Sequence, residues 1–468
     1  MYFQHIYEEG LAQASYFIGC QKTKEAIVID PRRDIDVYLD IAENKNFNIT
    51  HITETHIHAD FLSGARELAG ATDAKLYLSD EGGPDWQYQF KHTGLKNGDV
   101  IKVGNIKIEV LHTPGHTPEH ISFLLTDTVA SSEPIMIFTG DFVFVGDVGR
   151  PDLLEKAAGL TGTQEIGAKQ MFNSIKMFKE LPNHVQVWPG HGAGSACGKS
   201  LGAVPSSTIG YEKLVNWALK INDEAEFIHT LLAGQPEPPK YFAMMKKLNK
   251  FGPNILGGTP RPAKLTLHQF REALEKNITI VDSRNKLAFA GGHVRGSINI
   301  QDNLEFSTWA GWMLKYDHPF ILIASEDRVG DITKALVRIG MENFYGYVSD
   351  LDKWANQCHE LEVLNQISVS ELISKLENDP QAIEIIDVRG NNEYSLDHIQ
   401  NAKNIHVGYL NDKLDKISKD KNLVVYCESG NRSSIAASAL LKSGIKNVIN
   451  LTGGFSAWQK ETEKLEAV

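Results

Sequence analysis

The C-terminal half of this 468-residue chain contains two copies of one sequence pattern, and this duplication constrains the fold more than any other feature. The stretch ITIVDSRNKLAFAGGHVRGSINI (278–300) superposes on IEIIDVRGNNEYSLDHIQNAKNI (383–405), so that Asp282 and Asp387 are matched at an offset of 105 residues. A self-match of this length indicates two copies of one domain rather than a short-repeat solenoid. Each copy alternates strand and helix patterns, which predicts an α/β domain with a small parallel sheet wrapped by helices.

A chain of 468 residues is too long for one hydrophobic core, so the part before the two copies is expected to form at least one further domain. Strands are predicted at 25–31, 106–116 and 134–141, each ending in a loop rich in Asp, His, Gly or Pro. Residues 211–234 have helical periodicity and stop at a glycine, which predicts one closing helix. We expect a first α/β domain at 1–233, a Pro- and Gly-rich linker packed on a neighbour at 234–263, and the two copies at 264–360 and 361–468.

Potential metal ligands follow strands at several places in the first domain. They are His56, His58 and Asp60 in THIHADFLSG, His116 in TPGHTPEH, Asp141 in TGD and His191 in WPGHG. A single histidine beside a glycine is more often a surface or capping residue than a ligand. Several such elements in one domain, each at a strand end, predict a metal site.

The order and spacing of these motifs resemble the metallo-β-lactamase superfamily over the whole first domain. The resemblance implies an αββα sandwich with a metal centre. In dimetal hydrolases of the superfamily the first motif reads HxHxDH, whereas Phe61 occupies the last position here. This departure resembles the persulfide dioxygenase branch, in which two histidines and one carboxylate hold a single Fe(II).

Carried over position by position, that resemblance makes His56, His116 and Asp141 the ligands of one Fe(II) per chain, with zinc as the alternative metal. A two-histidine, one-carboxylate face leaves adjacent positions open for a sulfur ligand and O₂. His58, Asp60 and His191 would then orient the ligands or bind substrate. For His58 the competing interpretation is a remnant of a dimetal ancestor.

Three further residues in this domain carry paired interpretations. Arg150, in GDVGRPDLL, either pairs with Asp152 to order the loop or binds an anionic group of the substrate. Cys20 is either a small buried residue on an early strand or a thiol close to the iron. Cys197 carries the same two interpretations.

The second copy contains a reactive-cysteine loop, VVYCESGNRSSIAASALL at 424–441. A strand ends at Cys427, a tight loop follows and a helix is predicted to begin around Ser433. Converging backbone N–H groups, the helix N-terminus and Arg432 are expected to stabilise a thiolate or persulfide at Cys427. The residues predicted to cradle that sulfur are Glu428, Ser429, Gly430, Asn431 and Ser433.

This loop resembles the active-site loop of rhodanese sulfurtransferases, and the match extends over 366–462. Related phosphatases have one more residue between Cys and Arg, so the spacing here favours sulfur transfer. Asp387 and Arg389 are expected to form a structural ion pair. In the first copy Ala324 falls opposite Cys427, and Arg328 falls opposite Arg432. That copy is therefore interpreted as a degenerate rhodanese domain that acts as a structural spacer, with a ligand-binding role as the alternative.

Composition limits the partners and the compartment. The net charge of −12 and the absence of a basic cluster make nucleic acid and anionic membranes poor partner predictions. The N-terminal stretch has no signal-peptide pattern, and four widely spaced cysteines suit a reducing cytoplasm. Cys358 is expected to be structural. A cytoplasmic, symmetric homo-oligomer is the default expectation.

Both sites concern sulfur, and the whole chain resembles fusions of a persulfide dioxygenase with a degenerate and an active rhodanese. The resemblance implies that a low-molecular-weight persulfide and O₂ give sulfite, which Cys427 converts to thiosulfate. One competing hypothesis is a zinc thioester hydrolase of the glyoxalase II type with an appended rhodanese. Another is a non-catalytic sulfur-relay or redox-sensing module.

Overall fold

Two sheets of six strands each form the first part of the chain in this computed structural model, which describes residues 1–153, 155, 162–195, 197–199, 201–357 and 359–466. Cys358 lies outside the described residues. The chain divides into two units, the first comprising Met1–Pro260 with Lys334–Gly340. The second unit comprises Arg261–Thr333 and the residues from Met341 onward. Within the described residues no helix combines the length and the apolar character needed to cross a membrane.

The two sheets of the first unit are mixed. The first sheet contains, in spatial order, β1 (Tyr2–Glu8), β2 (Gln13–Gly19), β3 (Glu25–Ile29), β4 (Asn48–Thr53), β5 (Lys75–Ser79) and β6 (Thr93–Leu95). The second contains β7 (Val100–Val103), β8 (Ile106–His112), β9 (Ile121–Asp127), β10 (Met136–Gly140), β11 (Gln186–Pro189) and β12 (Ser207–Thr208). The three predicted strands correspond to β3, β8 and β10, so alternation of apolar residues located them correctly.

The sheets pack face to face, and helices cover their outer faces. Tyr16 and Ile27 from the first sheet share a buried core with Val110 and Phe123 from the second. The outer face of the first sheet is covered by α1 (Asp36–Lys45) and α2 (Ala65–Thr72). The outer face of the second is covered by α3 (Thr163–Glu180) and shorter helices. The arrangement is the predicted αββα sandwich.

The single closing helix predicted at 211–234 is wrong. The segment forms three helices, α4 (Ile209–Val215), α5 (Trp217–Lys220) and α6 (Glu224–Leu232). The Asn216 side chain accepts a hydrogen bond from the backbone N–H of Ala218, and the Asp223 side chain accepts one from Glu226. Both residues favour helix N-caps, so each begins a new helix where the hydrophobic period alone suggested continuity.

The segment predicted as a packed linker contains a helix, α7 (Phe242–Phe251). Tyr241, Phe242 and Met245 are buried, as their apolar character suggested. The first unit extends to Pro260, so this helix belongs to it.

The second unit contains two parallel sheets built alike. The first copy contributes β13 (Thr279–Asp282), β14 (Ile298–Asn299), β15 (Phe320–Ile323) and β16 (Phe344–Val348), with α8 (Leu267–Glu275), α9 (Lys286–Gly291), α10 (Phe306–Met313), α11 (Val329–Val337) and α12 (Leu351–Asn356). The second contributes β17 (Asn365–Ile367), β18 (Ile383–Asp387), β19 (Lys403–Asn404), β20 (Asn422–Tyr426) and β21 (Val448–Leu451), with α13 (Val369–Asn378), α14 (Asn391–Leu396), α15 (Asn431–Lys442) and α16 (Gly454–Glu466). The orders β14-β13-β15-β16 and β19-β18-β20-β21 are equivalent, which confirms the duplication.

Candidate functional site

Three predicted ligands converge at the ends of three strands. His56 follows β4, His116 follows β8 and Asp141 follows β10. All three side chains are buried, and their ligand atoms lie within 4.8 Å of one another. Asp141 Oδ2 is 3.6 Å from His116 Nε2 and 4.0 Å from His56 Nε2. The geometry therefore brings together the two imidazoles and the carboxylate that the family resemblance implied.

The chemistry of this group fits a metal ion. His56 Nε2 and both carboxylate oxygens of Asp141 are buried without a hydrogen-bond partner among the described residues. The Nδ1 of His116 is 2.9 Å from the carbonyl oxygen of Arg150, so Nδ1–H donates there and Nε2 is directed at the site. Burial, reinforced by nearby positive charge, lowers the pKa of His56 and of His116 well below the ordinary value. Both imidazoles are thus neutral, the form that binds metals.

His58 lies beside the metal ligands and is paired with a carboxylate; its ring is 4.1 Å from that of His56. Its Nε2 lies 3.1 Å from Asp30 Oδ1. Burial lowers the pKa of His58, but the charge and hydrogen bond of Asp30, with Glu54 and Asp60 beyond, outweigh it and raise the pKa to about 9. The ring of Phe61 packs 4.4 Å from that of His58. The Nε2 of His58 is thus engaged by Asp30, whereas its Nδ1 is buried without a hydrogen-bond partner among the described residues.

A second group of potential ligands lies on the other side of Asp141. Asp60, His191 and Cys197 have ligand atoms within 4.8 Å of one another. His191 Nε2 is 3.3 Å from Asp60 Oδ2 and 3.3 Å from Asp141 Oδ1. A Cβ on Gly190 would lie 2.7 Å from Asp141 Oδ1, so this glycine allows the backbone to approach the carboxylate. Asp141 thus faces both groups, one with each oxygen.

The charges of this second group are set by burial and by the two carboxylates. Burial opposes protonation of His191, but Asp141 and Asp60 outweigh it and raise its pKa. Burial, followed by the same two carboxylates, raises the pKa of the Cys197 thiol well above the ordinary value. Cys197 is buried and lies beside the site, so both of its interpretations stay predictions.

Arg150 and Asp152 form the predicted pair. Arg150 Nε and Nη2 donate to the two Asp152 carboxylate oxygens at 2.7 and 2.6 Å, and Nη1 donates to the carbonyl of Pro236 at 2.7 Å. The guanidinium is fully buried. Because the backbone carbonyl of Arg150 also fixes His116, this geometry favours the structural interpretation over substrate binding.

The interpretation of Cys20 as a thiol near the metal is wrong. Gln13, at one end of β2, bridges to His191, whereas Cys20 lies beyond the other end of that strand. At about 3.3 Å per residue, the two ends are about 20 Å apart. Cys20 is buried in the core between the sheets, where its Sγ accepts a hydrogen bond from the Asn105 backbone at 3.3 Å. Burial raises the pKa of Cys20, but hydrogen bonds from Asn105 and Thr23 lower it to about 7.

Two site residues on α7 were not anticipated from the sequence. Lys246 is 92% buried, and its Nζ has no hydrogen-bond partner among the described residues; it lies 5.1 Å from the centroid of the Trp86 ring. Burial lowers its pKa, while Glu119, Asp141 and other anionic groups of the site oppose that shift. Asn249, three residues on, donates to the carbonyls of His58 and Phe61 at 2.9 and 2.8 Å. The sequence predicted from the apolar character of this segment that it packs on a neighbouring domain, but it did not indicate a role in the site.

The predicted sulfur-carrying loop follows β20. Cys427 is buried, and the backbone N–H of Gly430 donates to its Sγ at 3.1 Å. Gly430 has φ +97°, a conformation that side chains with a Cβ rarely adopt, and it precedes α15 directly. The helix begins at Asn431, two residues before the predicted position. The Ser433 hydroxyl is buried without a partner among the described residues, which suits an acceptor or donor for a bound sulfur species.

Charged residues around the loop have structural partners. Arg432 donates to both carboxylate oxygens of Glu393, at 2.6 and 2.7 Å, so its direct share in sulfur binding stays a prediction. Arg389 pairs with Asp387 at 2.8 Å, as expected, and also contacts Glu428 at 3.1 Å. Glu428 is thereby held against the domain rather than directed at Cys427.

The structure of the degenerate copy agrees with the alignment of the two copies. Ala324 directly follows β15, the position of Cys427 after β20. Arg328 pairs with Asp302 at 2.7 Å and with Asp331 at 2.6 Å. This copy cannot carry sulfur covalently at that position.

Comparisons with known proteins agree with this architecture. The model of the metallo-beta-lactamase superfamily matches residues 9–191, and that of the rhodanese-like domain matches 266–357 and 368–461. The chain is 27% identical over 228 residues to the probable polyketide biosynthesis zinc-dependent hydrolase BaeB of Bacillus velezensis, covering 47% of this chain and 93% of that protein. It is 33% identical over 178 residues to a hydroxyacylglutathione hydrolase of Polaromonas sp., covering 38% of this chain and 61% of that protein.

A solved structure extends the likeness beyond the first domain. The crystal structure of a metallo-beta-lactamase from Staphylococcus aureus is 47% identical, with a TM-score of 0.67, and the match covers 75% of this chain and 99% of that one. The chain therefore belongs to the metallo-β-lactamase superfamily, and two rhodanese-like domains follow its metallo-β-lactamase domain.

Proposed function

We propose that this protein is an Fe(II) persulfide dioxygenase coupled to a sulfurtransferase. In the first half-reaction a thiol persulfide, RSSH, reacts with O₂ and water to give RSH, sulfite and two protons. In the second, a further persulfide transfers its outer sulfur to Cys427, which passes it to sulfite and forms thiosulfate. Domain content supports an enzyme of this general kind, and the choice of metal and substrate is our proposal.

The observation that carries the proposal is the convergence of His56, His116 and Asp141 beside a buried Phe61. Phe61 stands where dimetal hydrolases of the superfamily have a histidine, and His56, His116 and Asp141 together supply two imidazoles and one carboxylate. When bound there, ferrous iron would supply open positions for a sulfur ligand and O₂. Phe61 is fully buried beside this set and reduces the polarity of the surroundings.

The protein's own residues would bind and orient an anionic substrate. Lys246 places a buried ammonium without a hydrogen-bond partner in the described part of the chain among Asp60, Glu119 and Asp141. An unpaired buried charge is costly, and an anionic ligand would relieve that cost. We propose that this ligand is the persulfide or a carboxylate of its carrier. The Asn249 amide holds the 58–63 loop so that this environment is kept.

Metal content and oxygen uptake test the first half of the proposal. Protein purified without oxygen is expected to contain about one iron per chain and to consume O₂ when glutathione persulfide is added. Two zinc ions per chain, or thioester hydrolysis without O₂ uptake, would refute it.

Replacing the sulfur carrier separates the two halves. In Cys427→Ser, O₂ uptake is expected to continue and sulfite to accumulate, while thiosulfate formation stops. If O₂ uptake also stopped, with metal content unchanged, the proposed division of labour would be wrong.

A zinc thioester hydrolase is the second candidate function, and one feature specifically favours it. Asp60, His191 and Cys197 form a second potential ligand group, with Asp141 directed at both groups. The names of the two relatives above describe hydrolases, one of them zinc-dependent. The metal analysis distinguishes the two candidates.

A further inference from the structure

The degenerate rhodanese copy contacts the cysteine loop of the active copy directly. Lys286, the first residue of α9, donates from Nζ to the carbonyl oxygen of Ser429 at 2.7 Å and to Oδ1 of Asn431 at 2.8 Å. The side chain of Gln301 donates to the same Asn431 oxygen at 3.3 Å, and its own Oε1 accepts from the Lys286 backbone at 2.8 Å. Two residues of one copy thus hold two residues of the other copy's loop.

A buried polar contact fixes the position from which Lys286 acts. Asn299, on β14, accepts a hydrogen bond from the Ser434 hydroxyl at 2.6 Å, and its backbone N–H donates to Ser438 Oγ at 3.0 Å. All three residues are buried. Because both serines lie on α15, the helix that begins at the cysteine loop is tied to the sheet of the degenerate copy.

The Lys286 ammonium lies just outside the sulfur cradle. A Cβ on Gly430 would lie 3.3 Å from Lys286 Nζ, and the backbone N–H of Gly430 itself donates to Cys427 Sγ at 3.1 Å. One residue therefore separates a cation from the reactive sulfur. Arg432, the cation expected to serve this loop, is instead occupied by Glu393.

We propose that Lys286 is a specificity residue for sulfur transfer at Cys427. Its hydrogen bonds to Ser429 and Asn431 fix the ammonium beside the loop, and its charge favours an anionic acceptor such as sulfite over a neutral one. The degenerate copy would then be part of the active site rather than a spacer. This inference rests on the sulfurtransferase half of the proposed function and is independent of the metal site.

The chemical step is a transfer of neutral sulfur. The lone pair of sulfite sulfur attacks the outer sulfur of the Cys427 persulfide, the bond between that sulfur and Sγ breaks, and its electron pair stays on Sγ as the thiolate. Thiosulfate leaves with the new S–S bond, and the step requires no external oxidant or reductant. The developing dianionic product lies where a nearby ammonium stabilises it.

Single-turnover discharge of the persulfidated full-length chain tests this role. Wild type, Lys286→Met and Lys286→Arg are loaded at Cys427 with glutathione persulfide and then mixed with sulfite or with dithiothreitol, which has no net charge at neutral pH. In Lys286→Met, the rate constant with sulfite is expected to fall about tenfold or more, the loss of one charge-assisted contact. The rate with dithiothreitol should change less than about twofold on the same reasoning, and arginine should restore most of the sulfite rate.

A matched control and two contrary outcomes complete the test. Lys353→Met removes an exposed lysine of the same copy that pairs with Asp350, and should leave both rates unchanged. Equal sulfite rates in Lys286→Met and wild type would overturn the role of Lys286, and an equal fall with both acceptors would overturn its selectivity. Failure of wild-type Cys427 to accept sulfur would refute the sulfurtransferase function itself, which is a separate result.

Discussion

Replacing Lys246 with methionine should make the protein more stable and bind substrate less well. The Lys246 ammonium is 92% buried without a hydrogen-bond partner in the described part of the chain. Such a group costs about 1–3 kcal/mol, and its contact with the Trp86 ring returns about 0.5–2 kcal/mol. Methionine fills the same space without the charge, so we expect a net gain of about 1 kcal/mol, or about 2–4 °C in Tm.

Substrate binding should change in the opposite direction. A charge-assisted contact with the anionic substrate contributes about 1.5–3 kcal/mol, so KM for glutathione persulfide should rise about 10- to 150-fold. Iron content should not fall, because the variant removes positive charge beside the metal ligands. Lys247→Met, at an exposed position of the same helix, is the matched control and should change neither quantity. A Lys246→Met protein that is less stable than wild type, or that keeps the wild-type KM, would refute the reasoning.

Three further predictions concern the 58–63 loop. Phe61→His adds an imidazole next to the Asp60, His191 and Cys197 group, so metal analysis should find two metal ions per chain instead of one. Phe61→Leu is the control. An unchanged number of metal ions in Phe61→His would contradict the role given to Phe61. Asn249→Ala leaves the carbonyls of His58 and Phe61 and the N–H of Ser63 without this partner. The free energy of unfolding in urea should therefore fall by about 3 kcal/mol. Asn254→Ala, at an exposed position, is the control and should not lower it. The pKa of His58 is raised from 6.5 to about 9, so the stability from its pair with Asp30 is complete below pH 6.5 and is lost as the pH rises toward 9. The free energy of unfolding of the metal-free protein in urea should therefore fall over this pH range. In His58→Gln the free energy of unfolding should depend less on pH.

The sequence predicted those parts of the sites that depend on local pattern. Motifs at strand ends offered six candidate ligands, and the family resemblance selected His56, His116 and Asp141 among them. The spacing from Cys427 to Arg432 located the sulfur loop in the same way, because such motifs consist of neighbouring residues. The helix at 211–234 was predicted wrongly because capping side chains override hydrophobic periodicity. Cys20 was misplaced because a strand's sequence does not say which of its ends faces the site. The first error concerns where a helix ends, and the second concerns which end of a strand faces the site.

Residues far apart in sequence were inaccessible to that reasoning. Asn249 is 191 residues from His58, and Lys286 is 143 residues from Ser429. Neither lies in a loop that was linked to the chemistry of a site, and a lysine or asparagine in a helix is usually on the surface. Their roles depend on tertiary packing, which brings a helix of the supposed linker to one site and the first turn of α9 in the degenerate copy to the other.

The two sites therefore share a principle of construction. In each, the residues that define the chemistry lie in a recognisable loop, while a neighbouring cation and amide come from a segment that is distant in sequence. Lys246 and Asn249 do this at the metal centre, and Lys286 and Gln301 do it at Cys427. Boundaries drawn from motifs alone, ending at 233 or beginning at 361, would divide both sites. The segments between the motifs are thus expected to tolerate fewer substitutions than a linker and a spacer would.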